Sequence, residues 1–231
     1  VFSPDRLEAM LQGCREPVRR EGELWMWALP QPGEAYCIGA DSAEGLTQGH
    51  NSAAVVRNSR TWEHCATLMG KLAPREFAGR LVEIARRYNG ALISPERNNH
   101  GHAVILHMLE NLRYQSVYKH QPRDGMLGDA QYGFPVNSAT KPMAVSNLLE
   151  YVESGNFQTY DRRLVAQMRA LQEKDGHYDT DVLDIISAEL VCLQGRSQAL
   201  RSTMKRVVSK EYNVPKWMVE GEQKGVSAWR R

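Results

Sequence analysis

The sequence predicts an α/β domain built on a mixed five-stranded sheet flanked by helices, and three observations carry that reading. Three strand-like runs follow one another after residue 35, joined by short turns, as in an antiparallel meander. From Pro74 onward, helix-periodic stretches alternate with short apolar runs. Finally, several of the apolar runs end in carboxylates or contain them.

Taken in order, residues 1–34 are mixed and punctuated by Pro30 and Pro32, which reads as a short helix and a lead-in segment. Tyr36–Asp41 is the first strand, residues 52–57 the second and residues 62–69 the third. Gly45, Gly49 and Asn51 supply the first turn, and Asn58 and Ser59 the second. Pro74 opens a helix carrying the stripe Phe77, Leu81, Ile84 and Ala85, which stops at Asn89-Gly90. Residues 91–95 are a short buried strand. A helix after Gly101 presents Val104, Ile105, Met108, Leu109 and Leu112, and residues 116–119 read as a fifth strand. Residues 121–138, rich in Gly, Pro, Asp and Asn, are long for a loop, which is usual where a loop has a function. Three helical stretches close the chain: residues 139–153, 164–173 and 178–193. The organisation expected is a lead-in over 1–35, a catalytic domain over 36–195 and a basic tail over 196–231.

Composition bounds the function. With 231 residues, 42% hydrophobic and 24% charged, the chain is an ordinary globular one. No apolar stretch reaches the roughly 18–20 residues that cross a bilayer, so no membrane partner is expected. Nothing resembles a signal peptide, and a first residue of Val1 suggests a piece of a longer chain. Cys14, Cys37, Cys65 and Cys192 are scattered, which argues against zinc and redox motifs and points to reduced thiols in a cytoplasmic setting. The net charge of +2 is unevenly placed. Residues 196–231 hold nine lysines and arginines against three acids, leaving an acidic body of charge −4. An acidic body with a basic appendage fits a cation site whose nucleic-acid contacts come partly from added segments, and a solvated tail fits equally.

The acids are the informative residues. Asp41 closes Tyr36-Cys37-Ile38-Gly39-Ala40, and Glu96 closes Ala91-Leu92-Ile93-Ser94-Pro95. Asp181 and Asp184 lie around Val182-Leu183 and before Ile185-Ile186, and with Ala188 they fall on one stripe of the last helix. A carboxylate costs several kcal/mol to desolvate unless paired, hydrogen-bonded or metal-bound. Carboxylates at adjacent strand ends, facing a third group on a helix, form a cage for divalent cations. Oxygen-only ligation selects Mg²⁺ or Mn²⁺, and three or four carboxylates can hold two such ions. The plainer reading makes Asp181 a helix cap, Asp179 a turn residue and Asp184 solvent-facing; the company of Asp41 and Glu96 favours the metal site.

At these residues the chain resembles the nuclease domain of phage large terminase subunits, the DNA-packaging motor proteins. Ile38-Gly39-Ala40-Asp41-Ser42-Ala43-Glu44-Gly45, followed by Asn51-Ser52-Ala53-Ala54-Val55-Val56, is similar to that family's first catalytic strand and its return. Pro95-Glu96-Arg97-Asn98-Asn99-His100-Gly101 resembles the second acid with its Asn-Asn-x-Gly trailer, and Asn137-x-x-Thr140-Lys141 resembles the segment before the third acid. The likeness spans about residues 36 to 193. It implies an RNase H-like fold and an endonuclease that cuts concatemeric double-stranded viral DNA with two Mg²⁺ or Mn²⁺ ions in the infected host cytoplasm. Small-subunit and portal partners are implied as well. So is an ATPase domain on the same polypeptide, whose Gly-x-x-x-x-Gly-Lys-Ser/Thr loop does not occur in this sequence.

The resemblance makes Asp41 the bridging ligand, Glu96 a ligand of one ion, and Asp181 and Asp184 ligands of the other. Counting the third motif from Gly176 would choose Asp179 instead; the shared stripe favours Asp181 and Asp184. The acid often found near position 51 in the family is Asn51 here. Lys141 and Asn99 are candidate DNA contacts, though a solvated helix-start lysine and a capping amide explain them too. Asn98 is a further cap, Glu44 an exposed loop acid or one that approaches the metals from the loop after Asp41, His100, His102 and His107 surface or neighbouring histidines rather than zinc ligands, and His177 a loop histidine or a proton-transfer group. Lys205, Arg206, Lys210, Trp217 and Trp229 in the tail are candidates for phosphate or portal contact. Two rival readings are another RNase H-like nuclease of resolvase or transposase type, and a non-catalytic DNA- or portal-binding module.

Overall fold

The computed structural model describes residues 1–98, 100–121, 130–174, 177–180 and 183–211, with side chains at 174, 177 and 203–211 outside the description. The chain opens with α1 (Pro4–Gly13), β1 (Arg19–Glu21) and β2 (Leu24–Met26), then the meander β3 (Tyr36–Asp41), β4 (Ser52–Asn58) and β5 (His64–Gly70). Next come α2 (Pro74–Arg87), β6 (Leu92–Pro95) and α3 (His100–Leu106), which runs into a π-helical turn over His107–Asn111. A small hairpin pairs β7 (Lys119–His120) with β8 (Gln131–Tyr132). Then follow α4 (Thr140–Glu153), α5 (Arg162–Ala170), a second hairpin of β9 (Gln172–Lys174) and β10 (His177–Asp179), and the long α6 (Asp184–Glu211).

The main sheet has six strands in the order β1-β2-β5-β4-β3-β6, with β3 and β6 parallel and every other neighbouring pair antiparallel. Helices cover both faces, and strand alternation sorts the side chains between them. Ile38, Val56 and Ile93 face Phe77, Leu81 and Ile84 of α2 and Val104 of α3. Cys37, Val55 and Leu92 face the other layer, where Val145 of α4, Leu164 of α5 and Ile186 and Val191 of α6 pack. Along β3 this parity places Gly39 and Asp41 on the α6 side.

Close approach is built into that side. A Cβ on Gly39 would lie 2.0 Å from the Ala188 carbonyl oxygen and 2.5 Å from the Cys192 Cβ. The absence of a side chain therefore lets α6 lie directly on the central strand. The Ser94 hydroxyl of β6 donates to the Val191 carbonyl at 2.7 Å. Farther along, Arg57 and Glu189 are both fully buried and joined at 2.6–3.0 Å through Nε and Nη2. The remaining guanidinium nitrogen donates to the Trp62 and Gln158 carbonyls, and the Phe157 ring lies 4.2 Å from the guanidinium carbon.

Mixed α/β architecture stands as expected, but four elements differ from their sequence reading. The sheet has six strands, not five, because the lead-in segment folds back as the β1–β2 hairpin and adds to β5. Its strands are three residues long, too short to show alternation, and Gly22 turns them at φ 60°. Conversely, residues 116–119 do not form a full strand. Val117 makes one parallel bridge to Ile93 before Lys119 and His120 are drawn into the β7–β8 hairpin. The third meander strand starts at His64, since Trp62 sits in the preceding turn at φ 63°.

The last helix differs most. Tyr178 and Asp179 pair with Glu173 and Gln172 in the β9–β10 hairpin, so α6 begins only at Asp184 and runs to Glu211, into the stretch read as a tail. Asp181, read as sharing a helical stripe with Asp184, lies outside the described residues.

Candidate active site

The strand register dictates where the first two acids meet. In the parallel pair, Gly39 lies beside Ser94 and Ala40 beside Pro95. The next step sets Asp41 beside Glu96, and the Glu96 amide donates to the Ala40 carbonyl at 2.8 Å. By the same parity both side chains turn toward α6, and their carboxyl groups share a hydrogen bond. Just after Glu96 the chain must turn sharply into α3. A Cβ on Gly101 would lie 1.9 Å from the Glu96 carbonyl oxygen, which explains glycine at the end of the Glu96–Gly101 motif. Asn98 supports the same turn differently from the expected helix cap, since its side chain donates to the Val136 carbonyl. Asn99 lies outside the described residues.

The third acid comes from α6. The Ile185 and Ile186 amides, unpaired inside their own helix, donate to the Gln167 side-chain oxygen of α5 at 2.9 and 3.1 Å. This cross-helix cap fixes Asp184 as the first helical residue, where a negative charge is stabilised by the helix dipole. Asp184 is only 7% exposed, and its Oδ2 accepts from the Asn51 side-chain amide at 2.9 Å. His50 Nδ1 lies 3.8 Å from its Oδ1.

Asp41, Glu96 and Asp184 line one cavity of about 540 Å³, together with Glu44, His50, Asn51, Asn98, His100, Asn137, Lys141 and Thr180. Of the sequence candidates, Lys141 is thus in the site. The Asn137 side-chain oxygen accepts from the Ala139 and Thr140 amides, and the turn it shapes brings Lys141 into the cavity wall. Asp179 is not among the lining residues; it sits exposed on β10. His102 is exposed on α3, and His107 contacts Asn111. The side chains of His177, Lys205, Arg206 and Lys210 lie outside the description, as do Trp217 and Trp229. All four cysteines are buried as free thiols. Sequence reasoning missed Gln167 and the Arg57–Glu189 pair. An isolated Glu189 within the apolar run of α6 was a readable signal for the pair, whereas nothing marked Gln167 in advance.

Electrostatics identify the strained group. Burial, then the charges of Glu96 and Asp184, then the hydrogen bond with Glu96, hold the Asp41 carboxyl well above the usual carboxylate range. Burial pushes Glu96 up as well, against the pull of its hydrogen bond to Asp41 and the Lys141 ammonium. Two carboxyl groups in contact can both ionise only if something positive comes between them. Their all-oxygen donor set suits a hard divalent cation, so the residues fit one. Among the described residues, no three His, Cys, Asp or Glu side chains already form a closed cation cage. Asp184 is engaged with Asn51 instead, and a neighbouring candidate, Asp181, lies outside them.

No family model matches the sequence, and no curated protein does. Solved structures do. The large terminase nuclease of thermophilic phage G20c with bound magnesium aligns with a TM-score of 0.62 over 82% of this chain and 94% of its own, at 17% identity. The nuclease domain of the Thermus phage P74-26 large terminase aligns at 0.61, with the same coverage and identity. This chain has the terminase nuclease fold. The human cytomegalovirus terminase nuclease domain, manganese-soaked and inhibitor-bound, shares that RNase H-like fold at 0.51 and 12% identity, over 84% of this chain and 94% of its own. The G20c domain is also known with zinc and with cobalt.

Proposed function

We propose that this chain is the metal-dependent endonuclease domain of a viral DNA-packaging terminase, and that it cuts concatemeric double-stranded DNA. One observation carries the reading. The Asp41 and Glu96 carboxyls sit side by side on adjacent parallel strand ends, with Asp184 across the same cavity. Terminase nuclease structures of this fold that hold magnesium, zinc or cobalt support it.

In this reading two Mg²⁺ or Mn²⁺ ions would be held by Asp41, common to both, by Glu96 on one side and by Asp184 with Asp181 on the other. The ions, when bound, supply an activated water and charge neutralisation at the leaving oxygen. The chain's own groups do the rest. The buried carboxylates fix where the scissile phosphate sits, because a phosphodiester is repelled from the cavity until their charge is met. Lys141 adds a positive charge on the wall, placed to hold a phosphate oxygen. Asn51 steadies the Asp184 carboxylate through its amide. Hydrolysis adds a water oxygen to phosphorus and breaks one P–O ester bond, with a proton ending on the departing oxygen.

The partners in this proposal are double-stranded viral DNA, an ATPase domain on the same polypeptide, the small subunit and the portal, in the infected host cytoplasm. The test is nicking of supercoiled plasmid in Mn²⁺ or Mg²⁺. The parent protein converts it to open-circle and linear forms, EDTA stops the reaction, and Asp41→Ala is at least about 100-fold slower, as expected for loss of a group acting at the reacting phosphate. Equal nicking by Asp41→Ala contradicts the assignment. If no metal supports nicking by the parent while DNA is still bound, the non-catalytic module is correct instead.

A further inference from the structure

One pair of titratable groups in the cavity has no role in the proposed chemistry. Glu44 comes from the loop after β3 and His100 opens α3, and they meet at the wall with His100 Nε2 3.4 Å from Glu44 Oε1. Both line the same cavity as the three acids. Their positions are fixed from below. Gly45, next to Glu44, holds φ 79°, and a Cβ there would lie 2.5 Å from the Ala73 amide nitrogen, so this loop is pressed against the start of α2. His100 immediately precedes Gly101, the residue packed on the Glu96 carbonyl. The imidazole is thereby anchored beside the second acid of the site, and its partner is anchored to the loop that follows the first. Two loops that each carry a metal-site carboxylate at their base thus also deliver a carboxylate–imidazole pair to the same cavity.

The geometry points to His100 as the general acid that protonates the leaving oxygen of the cut phosphodiester, with Glu44 as its positioning residue. This rests on the nuclease reading above. With Nε2 paired to Glu44, the proton available for transfer is the one on Nδ1. As the P–O bond breaks, its electron pair goes to the departing oxygen, which takes that proton and leaves as a hydroxyl. The neutral imidazole keeps its Nε2–H toward the Glu44 carboxylate and regains a proton from solvent. Because His100 is half-exposed (38% by side chain), the return of that proton needs no internal relay. Glu44 fixes the ring's orientation, so the acid is presented from one nitrogen only.

The pair faces Asp41, Glu96 and Asp184 across the cavity, and His50 and Lys141 share the wall. None of these is a substitute acid of the same kind. The three carboxylates are assigned to the ions. Lys141 is assigned to a phosphate oxygen. His50 contacts Asp184.

The test removes the need for a general acid. Duplex DNA is prepared with one linkage whose leaving bridging oxygen is replaced by sulfur, the ends produced by the parent enzyme identifying which oxygen that is. A thiolate leaves without being protonated. His100→Ala and His100→Gln should cleave the all-oxygen linkage about 100-fold more slowly in kcat, the usual worth of a general acid. They should cleave the sulfur linkage within about threefold of the parent. Glu44→Gln should show the same pattern with a smaller loss, since it disorders the acid without removing it. The sulfur substrate also controls for folding, because a misfolded variant fails on both linkages. His100 variants that cut the oxygen linkage at the parental rate, or that melt at the parental temperature yet lose rate equally on both linkages, overturn the inference. Either result leaves the nuclease reading intact, since that reading is tested separately by Asp41→Ala on plasmid.

Discussion

Asp41 is the residue on which the site turns, because its environment opposes the charge it needs. Its carboxyl is held well above the ordinary range by burial and by Glu96 and Asp184. The sign of the consequence follows from linkage. A carboxyl whose folded value is raised favours folding in its protonated form. That contribution is complete below the unfolded value near 3.9 and is lost as pH rises through the folded one. Without metal, the protein should therefore lose stability as pH rises out of the carboxylate range. Asp41→Asn, which carries no charge at any pH, should lose less. Thermal melts in EDTA from pH 4 to 8 test this, and parallel curves for the two proteins would contradict it. At the same scale, Gly101→Ala places a methyl where the Glu96 carbonyl now lies, 1.9 Å from the new carbon. Overpacking of this kind costs about 1–3 kcal/mol, and nicking should fall at least tenfold as Glu96 moves. A Gly101→Ala protein that nicks at the parental rate would show that the close approach does not set the position of Glu96.

At the scale of elements, the site depends on α6 lying flat on β3 and ending its approach at Asp184. Gly39, the Ser94 hydroxyl, the Arg57–Glu189 pair and the Gln167 cap all serve that placement. Breaking a buried ion pair from one side leaves an uncompensated charge, so Glu189→Leu should destabilise by about 3–5 kcal/mol. Urea denaturation measures it, and a change below about 1 kcal/mol would mean that Arg57 finds water or another partner. These elements also show what was legible in the sequence. Tyr36–Asp41 and the run ending at Glu96 were readable because buried strands are continuous apolar text and the acids mark their ends. The β1–β2 hairpin was not, since three residues per strand are too few for a period to register. The start of α6 was misplaced for a related reason. Tyr178 and Asp179 have no strong preference of their own, and it is pairing with Glu173 and Gln172 that makes them a strand. Placing them in the helix started it six residues ahead of Asp184, where α6 begins; Asp181 lies outside the described residues.

For the whole molecule, the fold brings together residues more than 140 positions apart, from Asp41 to Asp184, around one cavity. Among the described residues, no helix is long and apolar enough to cross a membrane. If the cavity holds divalent ions, folding and metal binding are linked. An ion present at 100 times its dissociation constant should add about 2.7 kcal/mol of stability. Melts in rising Mn²⁺ should show this for the parent and not for Asp41→Asn; equal stabilisation of both would place the metal elsewhere. The central claim, that these acids form a two-ion centre, is tested most directly by the anomalous signal of Mn²⁺ in a soaked crystal. The predicted result is two peaks roughly 3.5–4 Å apart, with Asp41 between them, Glu96 on one, and Asp184 on the other with or without Asp181. A map with no peak beside Asp41, at a manganese concentration that supports nicking, would contradict it.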